Sequence, residues 1–292
     1  MSIFQISTQN FYTGSTPVLN AQEQLLTQLE SEMASGNAIQ QVSDNPGVSS
    51  GVFSLEQSIA NLNQYSSSNQ AAQLWINSSI TNLQNFSQVY QQVIQAGLQA
   101  SNGTANLSAL GSEVSNYIQS LMGSANATVD GLSLFSGSQT GTQAFTLSGS
   151  TLTYNGDSVA RQEQLASGIT VTTNVTGNTS LQPALAAAVQ LEKDINAGNT
   201  AAIPADVAAL QAAQGGVQNS ITGLGATLQL ATTLSQQQQS LLSSYNAQIS
   251  QDTGANMAAL SAQYSSLLNG YKAAVQVTGA IDGLPTLAQY VS

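Results

Sequence analysis

The chain contains no cysteine and no histidine. Their absence removes disulfides, thiolate nucleophiles, imidazole acid-base chemistry and zinc sites built from the two residue types. Charge is also scarce: 6% of residues carry one, against roughly a quarter in ordinary domains. Arg161, Lys193 and Lys272 are the only cations and leave a formal net charge of −11. So few cations cannot neutralise a phosphate backbone or hold acidic lipid headgroups, which argues against nucleic acid and membrane-surface partners. Long apolar runs are missing, so no membrane insertion is expected. The opening MSIFQISTQNFY has neither a basic region nor an apolar core, so no cleavable signal peptide is expected. Aromatic residues are few at 5%.

Gln, Asn, Ser and Thr supply the polarity, while Ala, Leu, Val and Ile supply most of the 41% apolar content. That mixture suits helices packed along a seam better than a pocketed enzyme. From Pro17 to Ala34, Val18, Leu25, Leu26, Leu29 and Met33 recur with helical spacing. Ser35-Gly36 stops this helix, and Asn45 caps the next, with Pro46 at its first position. The second helix carries a seam from Val48 through Ile76 to Val93, interrupted by polar Asn69 and Ser79. Sole Trp75 reads as core on this seam. Ser101-Asn102-Gly103 breaks the rod, and a third helix carries Leu107, Leu110, Val114, Tyr117 and Leu121.

Between about 132 and 180 the texture turns to Gly, Ser and Thr. Asn155-Gly156 signals a type I′ hairpin, and alternation at Ile169, Val171, Thr173 and Val175 predicts a strand. Helix returns at "PALAAAVQLEKDI" and continues past Pro204. Asp252-Thr253-Gly254 blurs the register. It restarts with Met257, Leu260, Tyr264, Leu267, Tyr271 and Ile281. The expected fold is mainly α with a small β insert, built from nested antiparallel long-helix layers. The expected layers are 1–44 with 254–292, then 45–137 with 181–253, then a β-rich outer domain at 138–180.

Nothing here has the shape of a catalytic site. Glu30 and Glu32, like Glu192 and Asp194, stand two apart on predicted helices, diverge by about 200°, and read as solvated acids. No histidine exists to activate a serine. Gly223-Leu224-Gly225 lacks the strand and third glycine of a nucleotide loop. Asp130, Asn155 and Asp157 offer oxygens but no EF-hand spacing, so turns explain them better. Catalytic, cofactor and metal residues are therefore expected to be none.

The stretch "SGNAIQQVSDNPGVSS", residues 35–50, resembles a motif of the flagellin family. Ser35, Gly36, Ile39, Val42, Ser43, Asp44 and Pro46 match it; Asn45 replaces the commoner second Asp, and Asn37 stands where a basic residue is usual. "ISTQNFY", "LFSGSQTGTQAF", "TYNGD" and "GITVTTNVTG" are similar to the family's hook-filament junction branch. The resemblance implies an extracellular structural subunit of the bacterial flagellum, exported through the flagellar type III apparatus. It implies copies of itself, a neighbouring hook-associated protein, flagellin and an export chaperone as partners. A small filament-forming flagellin is the alternative. On this reading Ser35 to Pro46 form an assembly joint, in which Ile39 and Val42 pack against a neighbouring element and Asp44 and Asn45 orient the long helix. The helices at 15–34 and 257–281 would order fully only on assembly.

Overall fold

The structure, a computed structural model, describes residues 3–102 and 106–282; side chains are described for 13–102 and 106–280. The element order is α1 (Ile3–Ser35), α2 (Pro46–Ala100), α3 (Leu107–Ala125), β1 (Thr128–Val129), β2 (Leu132–Ser133), β3 (Phe145–Ser148) and β4 (Thr151–Tyr154). Then come β5 (Gln162–Ala166), β6 (Ile169–Thr172), α4 (Gly177–Ser180), α5 (Gln182–Asn196), α6 (Ile203–Thr253) and α7 (Met257–Asp282). The mainly helical reading holds. α1 begins earlier than Pro17, which sits inside it without an N–H to donate to the preceding turn.

The chain divides into two compact units: residues up to Ile59 with those from Leu242 onward, and Ala60–Leu241. These boundaries fall inside α2 and α6 rather than at the ends of the expected layers.

Both buried apolar clusters lie in Ala60–Leu241. The larger joins Ile76, Leu83, Phe86 and Tyr90 of α2 to Val114 and Ile118 of α3, Leu185 and Leu191 of α5, and Leu210 of α6. Glycines allow the closest approaches. A Cβ on Gly97 would meet Leu191 and Val207, and one on Gly111 would meet Asn196. Within this unit α2 and α6 run antiparallel: Asn69 bonds to Ala231, while Gly97 faces Val207. The expected polar interruption of the seam is a real buried contact. Asn69 Nδ2 donates to the Ala231 carbonyl at 2.9 Å, and Gln73 donates back to Asn69 Oδ1 at 3.1 Å. Gln238, also buried, donates to the Leu165 carbonyl of β5. Trp75 is buried as expected, with the Arg161 guanidinium 4.4 Å from its ring centre. Arg161 also pairs with Glu163 at 2.8 Å.

The β segment is three separate two-stranded antiparallel hairpins. The segment shares the helices' core: Phe145 of β3 and the flanking Leu134, Phe135 and Ala144 belong to the larger cluster, and Leu165 of β5 and Val171 of β6 to the smaller. Asn155-Gly156 is not a hairpin turn. β3 and β4 are joined through Gly149-Ser150 instead, with Gly149 at φ 60°. Gly156 serves close packing: a Cβ there would fall 2.5 Å from the Ser136 carbonyl. The dipeptide with both residues at positive φ is Asp130-Gly131, at 51° and 77°, between β1 and β2. That is the backbone a type I′ turn demands. The predicted strand ends at Thr172, before Thr173 and Val175.

Asp194 is also not the solvated acid expected. It is buried, and its carboxylate accepts from Gln190 and Asn199 because the loop after α5 folds back over it.

Two buried polar groups give opposite expectations. Asn69→Ala removes a satisfied buried bond and should destabilise by about 1–3 kcal/mol. Tyr90→Phe removes a hydroxyl that is buried without a partner, and should be neutral or stabilising. Denaturant unfolding of both variants checks this; an unchanged midpoint for Asn69→Ala would remove the contact from the stability account.

Candidate functional site: the joint and the terminal helix pair

Among the described residues of the first unit, helix gives way at 36–45 and at 254–256, and the two breaks meet. Gly36 takes a left-handed φ of 72°, and its N–H bonds to the Glu32 carbonyl, closing the end of α1. Asn37 and Gly254 then form an antiparallel bridge. The Ala255 N–H donates to the Gly36 carbonyl at 2.9 Å, and the Ala38 N–H donates to the Thr253 carbonyl at 2.7 Å. The sequence showed Gly254 only as a blurred register. Its glycine is required, because a Cβ would lie 2.4 Å from the Ser250 carbonyl.

Side chains brace the first half of the joint. Ser35 Oγ accepts from the Asn37 N–H and from Gln40 Nε2, while Ser31 donates to Gln40 Oε1. Asp44 Oδ2 accepts from the Gln40 and Gln41 N–H groups at 2.9 and 2.8 Å. These backbone donors hold the Asp44 carboxyl below its ordinary value. Asn45 Oδ1 accepts from the Val48 N–H at 3.2 Å, the expected cap before Pro46. Asn256 does the same for α7 through the Ala259 N–H. Ser43 is exposed, Ile39 is half-buried, and Val42 is 56% exposed rather than packed within the chain. Gln40, Thr253 and Gly254 are the joint residues that the sequence reading missed. Gln40 gave no signal in a chain so rich in glutamine. Gly47-Val48-Ser49-Ser50-Gly51 has nucleophile-elbow spacing, yet it lies in the first turns of α2.

Beyond the joint, α1 and α7 run antiparallel. Leu19 lines one groove with Ala274, Tyr264 reaches Glu30, and Asn37 meets Gly254. The inward row of α1 is Ser15, Leu19, Gln22, Leu26, Leu29 and Met33; only Leu26 of these is fully buried. The facing row of α7 is Leu260, Tyr264, Leu267, Tyr271, Ala274 and Thr278. The Tyr264 hydroxyl donates to Glu30 Oε1 at 2.7 Å, and this bond raises the tyrosine's pKa. Two expected seam residues of α1, Val18 and Leu25, lie outside the row at 55% and 49% exposed. Each stands one position before an inward leucine, which rotates it about 100° off the seam. Met257 is likewise exposed, and the Ile281 side chain lies outside the described residues. The row where α1 and α7 meet opens into an apolar groove of about 330 Å³ lined by Val18, Leu19, Ala273, Ala274 and Val277.

Residues 6–140 match the bacterial flagellin N-terminal helical region. This stretch takes in α1 from residue 6 onward, the first half of the joint, α2 and α3. No curated protein matches the sequence. Solved structures share the fold of this chain at low identity. A protein of Vibrio parahaemolyticus assigned as flagellar hook-associated is 22% identical; the match covers 72% of this chain and 100% of that one, at a TM-score of 0.67. FlgL of Bacillus cereus is 22% identical over 69% of this chain and 99% of that one, TM-score 0.60. The flagellar junction protein FlgL of Legionella pneumophila is 15% identical over 70% and 99%, TM-score 0.57.

Gly254→Ala should break the bridge. With two backbone bonds lost, the Ala38 and Ala255 amides should exchange roughly tenfold or more faster. Unchanged protection would show that the joint holds without them.

Asp44 sets a pH dependence. Its carboxyl is lowered on folding, so its contribution is present above the ordinary value of 3.8 and is lost as pH falls through the lowered value. Gln40 and Gln41 amide shifts should report an acid transition of the joint that Asp44→Asn abolishes; a persisting transition would point to another group.

Proposed function

We propose that this chain is a structural subunit of the bacterial flagellum that joins the hook to the flagellin filament. Three findings support the reading: the flagellin match over residues 6–140, the fold shared with hook-associated and junction proteins, and the surface of the α1–α7 pair. The pair carries the most weight. Among its described hydrophobic residues only Leu26 and Leu260 are buried, while Val18, Leu25, Met257, Val275 and Val277 stand exposed. The two helices carry only Glu23, Glu30, Glu32, Lys272 and Asp282 as charges, so most of this surface is neutral. Residues 1–44 and 254–292 then form the assembly layer, with copies of this chain, a neighbouring hook-associated protein and flagellin as contacts. Such contacts join one surface to a different one, as rings and helical tubes require. The subunit works outside the cell after passage through the flagellar export apparatus, accompanied by an export chaperone.

A small filament-forming flagellin is the second reading, favoured by the family match, whose description names flagellin alone. Deletion separates the two. Loss of a junction protein leaves hooks and secreted, unassembled flagellin, whereas loss of a flagellin removes the bulk filament subunit.

Val18→Asp tests the surface itself. Exposed in the monomer, it should change folding stability by no more than about 0.5 kcal/mol while blocking assembly and motility. Full motility in that variant would sink the assembly role of this face.

A further inference from the structure

β3 is paired along one edge only. β4 takes that edge in an antiparallel hairpin, with Phe145 opposite Tyr154 and Leu147 opposite Leu152. In such a ladder, opposite residues exchange their backbone bonds only at every second pair. The Asn155 N–H bonds to the Ala144 carbonyl, so the bonded pairs on the β4 side fall at Ala144, Thr146 and Ser148. Phe145 turns its polar groups the other way. Its N–H donates to Asn126 Oδ1 at 2.7 Å, and its carbonyl accepts from Asn126 Nδ2 at 2.9 Å. The Asn126 carboxamide thus makes the two bonds that a residue of a neighbouring strand would make. Leu147 stands about 7 Å further along the same free edge, and its N–H and carbonyl face the same way. Among the described residues, no group caps Leu147 as Asn126 caps Phe145.

This edge borders a cleft of about 640 Å³ between α3, β3 and α5. Ser115 and Gln119 of α3, Gln143 before β3 and Glu192 of α5 line it. Among the described residues, none of these side chains has a hydrogen-bond or ion-pair partner. Gly123 lies in the same row of α3, and a Cβ there would meet nothing within 4 Å. An open strand edge beside unengaged polar side chains is suited to an extended peptide.

We propose that this cleft docks an extended, basic segment of another protein, which adds a strand to β3 at Leu147 and sets a lysine or arginine against Glu192. Glu192 supplies the charge of the cleft lining, and the chain's net charge of −11 draws a basic segment toward it. A second copy of this chain does not fit the role. Arg161 is engaged with Glu163 and Trp75, and its backbone already pairs with Thr173 and Asn174. Lys193 and Lys272 lie on helices α5 and α7. The cleft belongs to Ala60–Leu241, so this inference is independent of the α1–α7 assembly surface.

The test is a titration of the full chain with the end-blocked peptide TVKVT, followed by amide NMR. The Leu147 amide should shift saturably at millimolar peptide and gain protection from exchange. TVEVT should bind roughly tenfold more weakly or worse, because a like charge then faces Glu192. Glu192→Gln should weaken TVKVT roughly twofold to fivefold without lowering the unfolding midpoint. Gly123→Leu should abolish the shift by filling the cleft, again with the fold intact, because its Cβ enters open space. A Leu147 amide that ignores TVKVT, or responds as strongly to TVEVT, would overturn the proposal. So would equal binding by TVKVT with its central amides N-methylated, since strand addition needs those groups. Leu147 protection that grows with the concentration of this chain alone would overturn it too, by making a second copy the occupant.

Discussion

Two backbone hydrogen bonds, between Gly36 and Ala255 and between Ala38 and Thr253, tie the break after α1 to the break before α7. They join the two interruptions of helix among the described residues of the first unit. Everything in the α1–α7 pair follows from them, because the rows on the two helices face each other only in one register. The bonds themselves are independent of side-chain identity. The residues around them are not. Gly36 supplies a left-handed backbone, Gly254 supplies empty space, and Asp44 ties down the N–H groups of the connecting turn. The ten residues between α1 and α2, more than a tight helix-helix turn needs, are the length required to lay down a bridge and then cap a new helix.

Much of this was legible in the sequence. The stop at Gly36, the cap at Asn45 and the long seam of α2 come from local chemistry that one chain can display. The partner of the joint was not legible, because residue 254 is far away in sequence and a bridge of backbone groups leaves no side-chain pattern. The α1 stripe was misread for a different reason. Its inward row contains Ser15 and Gln22, so apolarity alone pointed to Val18 and Leu25. The hairpins show a third failure. Asn155-Gly156 has the dipeptide of a tight turn, yet Gly156 packs against Ser136 and Tyr154, a tertiary contact that local sequence does not display. Asp194 was taken for a surface acid because helical spacing does not reveal a loop that folds back over the helix end.

With charge so scarce, amides and hydroxyls do the work that ion pairs perform elsewhere. Asn69, Gln73 and Gln238 connect α2, α6 and β5 in the interior, and Ser35 with Gln40 connects the joint. Neutral groups demand less desolvation than ions but require tighter geometry, so they define a register well. Asp44, Asp157 and Asp194 each accept several N–H or O–H donors. Salt has few ion pairs to screen in such a molecule.

The inward rows of α1 and α7 step alternately by four and three residues, an average of 3.5. A straight α-helix repeats every 3.6 residues, so rows with this step stay in contact only if the two helices wind around each other to the left. The pair therefore carries a chirality of its own, written in the positions of Leu19, Leu26, Met33, Leu260, Leu267 and Ala274. Any neighbour that lies along its exposed valines must follow that same curved path.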